Sequence, residues 1–258
     1  MLNEPLPLYV KTRRLYESER TDWAESTKNH IIKFRKWIIK PDLLDPIINP
    51  KGYGAEPYPV RYIPDQMGDG FENGGYFFPI YDPEGYLTLA QIRWNTPERH
   101  GSKTLFLGYN AELCGPKWCG MDPYMAKMIQ CTRKVLIVEG PFDWLACKVC
   151  LNSDFPVLSP FGSHLTRHHI QDLSLLGVIK VILMFDNDST GKVAAIKLKE
   201  NLPPFAIDRL VCPATDPSDC LTNEVNFKTL VNLLKKQCGN SKLHHLPFPS
   251  GPDQNVKR

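Results

Sequence analysis

Lys134-Val-Leu-Ile-Val-Glu-Gly-Pro-Phe-Asp143 and Val181-Ile-Leu-Met-Phe-Asp-Asn-Asp-Ser-Thr-Gly191 decide the fold. Each is an apolar, β-branched run that ends abruptly in carboxylates and glycine. No polar residue interrupts Val135 to Val138, which predicts a strand buried on both faces. Glu139 stands where that strand stops. Val181 to Phe185 reads the same way, with Asp186 and Asp188 at its end. Ligands of open parallel sheets bind outside the carboxyl ends of the strands. Two strands that end in acids therefore bring those acids to one edge. Like charges gathered there repel, and a bound hard cation offsets the repulsion. Mg²⁺ prefers oxygen ligands and takes one or two carboxylates plus substrate phosphates. An acid after a strand is also a turn signal, and Asp186-Asn187-Asp188 fits a cap on the following helix.

Outward from this pair, Arg209-Leu-Val-Cys-Pro-Ala-Thr-Asp-Pro-Ser-Asp-Cys-Leu221 is a third apolar run into acids, Asp216 and Asp219. Strands are expected at 135–138, 156–159, 179–185 and 208–212. Helices are expected at 142–151, 165–175, 189–201 and 226–237. This alternation predicts an α/β fold with a mainly parallel sheet flanked by helices. Upstream, Gly75 to Tyr81 and Tyr86 to Trp94 read as a β-hairpin around an Asp82-Pro83-Glu84-Gly85 type I turn. A helix is expected within Tyr16–Ile39, acidic early and basic late, as suits the helix dipole. Its His30-Ile-Ile-Lys-Phe-Arg-Lys-Trp37 segment fits either a packed helix with a basic face or a nucleic-acid backbone contact. The Pro- and Gly-rich stretch 41–75 reads as loop, and the residues after Cys238 as a flexible tail.

The 258 residues allow one large domain or two small ones, and 42% hydrophobic content suffices for a core. A net charge of +3 gives no global basic field. No apolar run approaches a membrane span, and the N-terminus lacks a signal-peptide pattern, so no membrane association and a cytoplasmic location are expected. Eight cysteines include Cys147 and Cys150 as a CxxC, with Cys114 and Cys119 upstream. Structural zinc usually takes two such pairs presented by turns. Cys147 and Cys150 lie in a helical pattern, where small buried thiols are expected. No structural zinc is therefore anticipated.

Glu139-Gly140, Asp186-Asn187-Asp188 and Asp216-Pro217-Ser218-Asp219 occur in the order of a strand ending in Glu-Gly, an Asp-x-Asp strand end and a further acidic turn. In this the chain resembles the Toprim domain of bacterial and phage DNA primases. The hairpin with Phe78-Pro-Ile-Tyr-Asp-Pro-Glu-Gly85 resembles the segment that precedes that domain in replicative primases. Asp154 to Thr166 resembles their strand-Gly-Thr/Ser segment. The two later acidic stretches look more like the primase half of phage primase–helicases. The resemblance covers residues 76–227.

It implies an N-terminal primase-like α+β subdomain at 1–133, on the template and nucleotide side. It implies a Toprim domain at 134–227, with a C-terminal helix and tail at 228–258. It also implies a nucleotidyltransferase that makes short RNA primers on single-stranded DNA from ribonucleoside triphosphates. Glu139, Asp186 and Asp188 would be catalytic and hold Mg²⁺ or Mn²⁺, with Asp143 and Asp216 as further metal-side acids. Lys103 and Arg93 would meet the nucleotide. The zinc module and helicase of many relatives have no counterpart in these residues. A replicative helicase or single-strand-binding protein is accordingly an expected partner. The Toprim resemblance leaves two alternatives, a metal-dependent nuclease and a non-catalytic DNA-binding protein.

Overall fold

The computed structural model of the protein describes residues 22–48, 60–63, 74–81, 87–95, 102–108, 117–151, 155–201 and 205–238. Helix α1 (Asp22–Arg35) ends on Lys33 and Arg35, and Lys36 leaves it in left-handed backbone at φ 54°. A 3₁₀ turn (Pro41–Leu44) and the one-turn α2 (Asp45–Ile48) follow. With β1 (Arg61–Ile63) they correct the expectation of loop throughout 41–75. Leu44, Ile47 and Ile48 recur at helical spacing and are buried in the core. Their burial outweighs the local Pro signal.

β2 (Gly75–Tyr81), β3 (Leu87–Trp94) and β4 (Thr104–Gly108) join β1 in a four-stranded antiparallel sheet of order β1-β2-β3-β4. The expected hairpin is β2–β3, with Tyr76 opposite Arg93 and Phe78 opposite Gln91. Its expected turn at 82–85 lies outside the described residues, as does the tail.

The second sheet begins after α3 (Pro123–Thr132), a helix not anticipated from the sequence, whose first turn is capped by the Asp122 carboxylate accepting from Met125 N–H. β5 (Lys134–Val138), α4 (Pro141–Cys150), β6 (Val157–Leu158), α5 (Arg167–Leu175), β7 (Lys180–Met184), α6 (Ser189–Asn201), β8 (Ala206–Arg209), the short α7 (Pro217–Cys220) and α8 (Glu224–Cys238) follow. The strands run β6-β5-β7-β8, all parallel. The uninterrupted apolar runs have a direct cause. Leu136, Val138, Ile182 and Met184 face a core shared with α4 and α8. Val135, Ile137, Val181 and Leu183 face an opposite core shared with α3, α5 and α6. A strand covered on both sides has no position for a polar side chain. The expected α/β class is therefore observed, with a smaller α+β part ahead of it.

The last strand departs from its expected 208–212. It spans Ala206–Arg209, with Val181 opposite Ile207. It is an edge strand whose register is set by pairing to β7. The more apolar Leu210-Val211-Cys212 already belongs to the exit loop, where Leu210 and Cys212 are buried and Val211 is exposed. Cys147 and Cys150 are buried within α4, and burial raises both thiols. Cys114 lies outside the described residues.

One ring joins the two sheets. Phe142, at the start of α4, meets Tyr76 and Phe78 of β2 edge-on, with centroids 5.2 and 5.4 Å away. Phe34 of α1 lies at 6.3 Å. Aromatic pairs in this geometry add to plain area burial. Phe142→Ala is expected to lower the unfolding free energy by about 3–5 kcal/mol, measured by denaturant titration. A loss under ~1 kcal/mol would show that the sheets are seated by other contacts.

Candidate active site

The acids lie where strands stop and the chain turns into helices. Glu139 follows β5, and Asp186 and Asp188 follow β7. Asp216 caps α7, its Oδ1 accepting from Asp219 N–H at 2.6 Å. Asp188 caps α6, its Oδ1 accepting from Gly191 N–H at 2.7 Å. The capping reading of Asp186-Asn187-Asp188 therefore holds for Asp188 and leaves Asp186 free of that task. Gly191 is required by space: a Cβ there would stand 2.3 Å from the Asp186 carbonyl oxygen.

Three links draw the separate loops together. Asn187 N–H donates to Thr215 C=O at 2.7 Å, which sets the β7 exit beside the Asp216 turn. The Asp143 carboxylate accepts from Gly140 N–H at 2.9 Å and from Ser218 N–H at 3.2 Å. Both of its oxygens are thus engaged in joining the β5 exit to α7. From the other sheet's side, Arg35 Nε donates to Ser218 Oγ at 2.8 Å. The Arg35 guanidinium also lies 3.5 Å from Asp219, 3.9 Å from Asp216, and 5.2 Å from the centre of the Phe142 ring.

The links surround a cleft of about 390 Å³. Glu139, Asp143, Asp186 and Asp216 form its acidic wall, and Arg35, Arg93 and Lys103 its basic one. Burial, then the charges of Glu139, Asp216 and Asp188, pushes Asp186 up to about 7. Glu139 is raised by burial and by Asp188, although the Asp186 N–H favours its ionised form. Burial and the nearby Asp216 and Asp186 carry Asp143 well above the carboxylate range. Burial also lowers Arg93, with Arg35 adding to the effect. Glu139 Oε2 and Asp186 Oδ1 are buried with no hydrogen-bond partner among the described residues. Two orphaned, mutually repelling carboxylate oxygens on one wall suit a divalent cation. Among the described residues, no three His, Cys, Asp or Glu side chains make a ready metal-holding group. The donor set fits a cation whose coordination is completed by phosphate oxygens.

Residues 136–221 match the family model described as Toprim-like. This stretch is Toprim-like. The chain is 32% identical over 107 residues to a DNA primase of Chlamydia pneumoniae, covering 40% of this chain and 18% of that protein. It spans about a fifth of the length of the curated primases it matches. The crystal structure of the RNA polymerase domain of the Mycobacterium tuberculosis primase superposes with a TM-score of 0.62 at 16% identity, over 88% of this chain and 81% of that one. The primase fragment of the bacteriophage T7 primase-helicase protein gives 0.54 at 16% identity, over 76% and 72%. In sequence and fold the chain is similar to DNA primases, and its Toprim-like stretch carries the cleft's acids.

Of the residues singled out from sequence, Glu139, Asp186, Asp143, Asp216, Arg93 and Lys103 line one cleft. Asp188 adjoins it and acts on Glu139 and Asp186 by charge. Arg35, Gln91, Phe142 and Phe161 also line it and were not singled out. For Arg35 the usable signal was a basic last turn on a helix with aromatic neighbours. For Gln91 it was a lone amide inside an apolar strand.

The raised acids have a pH signature. In the folded protein without a bound cation they keep protons that the unfolded chain has released. Stability therefore falls as pH rises from near 4, the unfolded carboxylate range, through about 7. Asp186→Asn removes one repelling charge. It is expected to raise the unfolding free energy at pH 7.5 by roughly 1 kcal/mol, a value discounted for solvent screening at a half-exposed group. Its stability should also vary less with pH. Melting curves between pH 5 and 8 check this, and a variant less stable than wild type at pH 7.5 contradicts it.

Proposed function

We propose that the chain is the catalytic core of a DNA primase, making short RNA primers on single-stranded DNA by Mg²⁺-dependent nucleotidyl transfer. The observation that supports this best is the cleft with one acidic and one basic wall. A ribonucleoside triphosphate with its cation is complementary to both walls at once. In the reaction a primer 3′-hydroxyl attacks the α-phosphate of the incoming nucleotide. The new P–O bond forms as the bond to pyrophosphate breaks.

Glu139, Asp186 and Asp188 would hold Mg²⁺ or Mn²⁺, with Asp216 beside them. A bound cation supplies charge stabilisation at the α-phosphate and the departing pyrophosphate. Glu139 is the general-base candidate for the 3′-hydroxyl proton. Its raised basicity, with one unpartnered oxygen, suits that task. Asp143, with both oxygens tied to backbone, positions the β5 exit against α7. Arg93, Lys103 and Arg35 contact the triphosphate. The N-terminal part, 1–133, supplies the basic wall, and the Toprim domain the acidic one. A replicative helicase or single-strand-binding protein is the proposed partner for template delivery.

The test is incubation with labelled ribonucleotides, Mg²⁺ and single-stranded DNA, scoring synthesis and cleavage together, with and without a helicase. Short oligoribonucleotides are expected. Glu139→Gln should lower the synthetic rate at least on the order of a hundredfold with a melting temperature equal to or above that of the wild type. Lys103→Ala should raise the apparent KM for nucleotides roughly tenfold, the loss of one charged phosphate contact. Glu139-dependent DNA cutting with no oligoribonucleotide under any condition would replace this reading with that of a nuclease.

A further inference from the structure

Gln91 is 3% exposed, and its Oε1 accepts no hydrogen bond from any described residue. A buried amide oxygen left unpaired weakens a fold, so its presence needs another reason. It lines the cleft together with Arg93, Glu139 and Phe161. Directly opposite Gln91 on β4 stands Phe106, and directly opposed residues share a sheet face. The Phe106 ring meets the Phe161 ring edge-on, with centroids 5.5 Å apart at 88°. Phe106 thus links the two, opposite Gln91 in register and against the Phe161 ring. Phe161 is held in left-handed backbone at φ 60°, a strained conformation for an aromatic residue. Its N–H donates to Ser159 Oγ at 3.1 Å, and Ser159 Oγ donates to the Glu139 carbonyl at 2.8 Å. A half-buried ring, a strained backbone and an orphaned amide converge beside Glu139.

We propose that Gln91 and Phe161 form a nucleobase subsite that takes the adenine of an incoming ribonucleotide. The inference rests on the reading of template-directed primer synthesis. Phe161 offers a flat apolar surface on which a base stacks. A side-chain amide pairs with adenine by accepting from N6–H and donating to N7. While the template occupies the Watson–Crick edge, the N6/N7 edge stays open to the protein. Guanine presents two acceptors there, O6 and N7, so one amide group meets no complement. The pyrimidines present only one group each, N4–H or O4. Gln91 is therefore a specificity-determining residue that does not touch the reacting phosphate.

Calorimetric titration of the full chain with Mg²⁺ and ATP, GTP or 7-deaza-ATP, which lacks the N7 acceptor, tests this. Wild type is expected to bind ATP on the order of tenfold more tightly than GTP or 7-deaza-ATP. Gln91→Leu should bind all three equally, at the weaker level, with a melting temperature equal to or above wild type. Phe161→Leu, which keeps bulk and loses the flat ring, should weaken all three together. Equal binding of ATP and 7-deaza-ATP to wild type, or discrimination retained by Gln91→Leu, overturns the subsite and leaves primer synthesis standing. A destabilised Gln91→Leu with uniformly poor binding also overturns it, because Gln91 is then structural. Absence of binding by any nucleotide to wild type overturns the subsite and primer synthesis together.

Discussion

Repulsion among desolvated carboxylates is the constraint that the rest of the structure answers to. Glu139, Asp186 and Asp216 are each raised above the ordinary carboxylate range, first by burial and then by neighbouring carboxylates, although Arg35 pulls Asp216 the other way. Among the described residues, none neutralises these acids fully. Arg35 meets Asp216 and Asp219, but the unpartnered oxygens of Glu139 and Asp186 remain. The strand ends are instead clamped by neutral and geometric means. Asn187 is bonded to Thr215, Asp143 is bonded to two backbone N–H groups, and Gly191 allows the α6 backbone to touch Asp186. Hydrophobic burial on both faces of β5 and β7 supplies the free energy that holds the acids together. Folds that retain such frustration at one spot do so where a site needs it.

The second sheet completes the arrangement by position. Alternate residues of a strand share a face. Tyr76 and Phe78 of β2 and their partners Arg93 and Gln91 of β3 therefore lie on one face. The two β2 rings seat on Phe142, and the two β3 side chains reach beyond it into the cleft. Phe142 thus sets how far Arg93 stands from the acids. Because Phe142 immediately precedes Asp143, the interface and the acidic wall share one helix N-terminus.

The legible and illegible parts of the sequence divide along a physical line. Fully buried strands lack polar interruptions, so β5 and β7 and the acids at their ends could be placed to within a residue. The helix expected at 189–201 matches α6. β8 was misplaced because an edge strand takes its register from a neighbour, and the more apolar run lay just beyond it. Helix α3 carried its signal in Asp122-Pro123, a cap and a proline at the first turn, before a mixed sequence with little contrast. Arg35 could not be assigned because its contact with Ser218 spans 183 positions. No local pattern encodes a pairing of that range. Glu139 and Asp186 were legible as a pair, yet their missing hydrogen bonds depend on packing and had to be seen in three dimensions.

The small net charge conceals the feature that matters most for a polyanionic ligand. Acids and bases are segregated within the chain, the acids at the turns and helix starts that follow parallel strands and the bases on α1, β3 and the approach to β4. A uniformly basic cleft would bind phosphates tightly but would exclude the cation that stabilises charge as a phosphate is transferred. A uniformly acidic one would hold a cation and repel the phosphates. A cleft lined by both signs accepts both, and each component improves the site for the other. The cation relieves the orphaned oxygens and lets phosphates approach the acidic side. The phosphates in turn complete the coordination that the carboxylates leave open. Because Glu139, Asp186 and Lys103 are only partly desolvated, this mutual dependence is strongest at low ionic strength and weakens as salt screens the cleft.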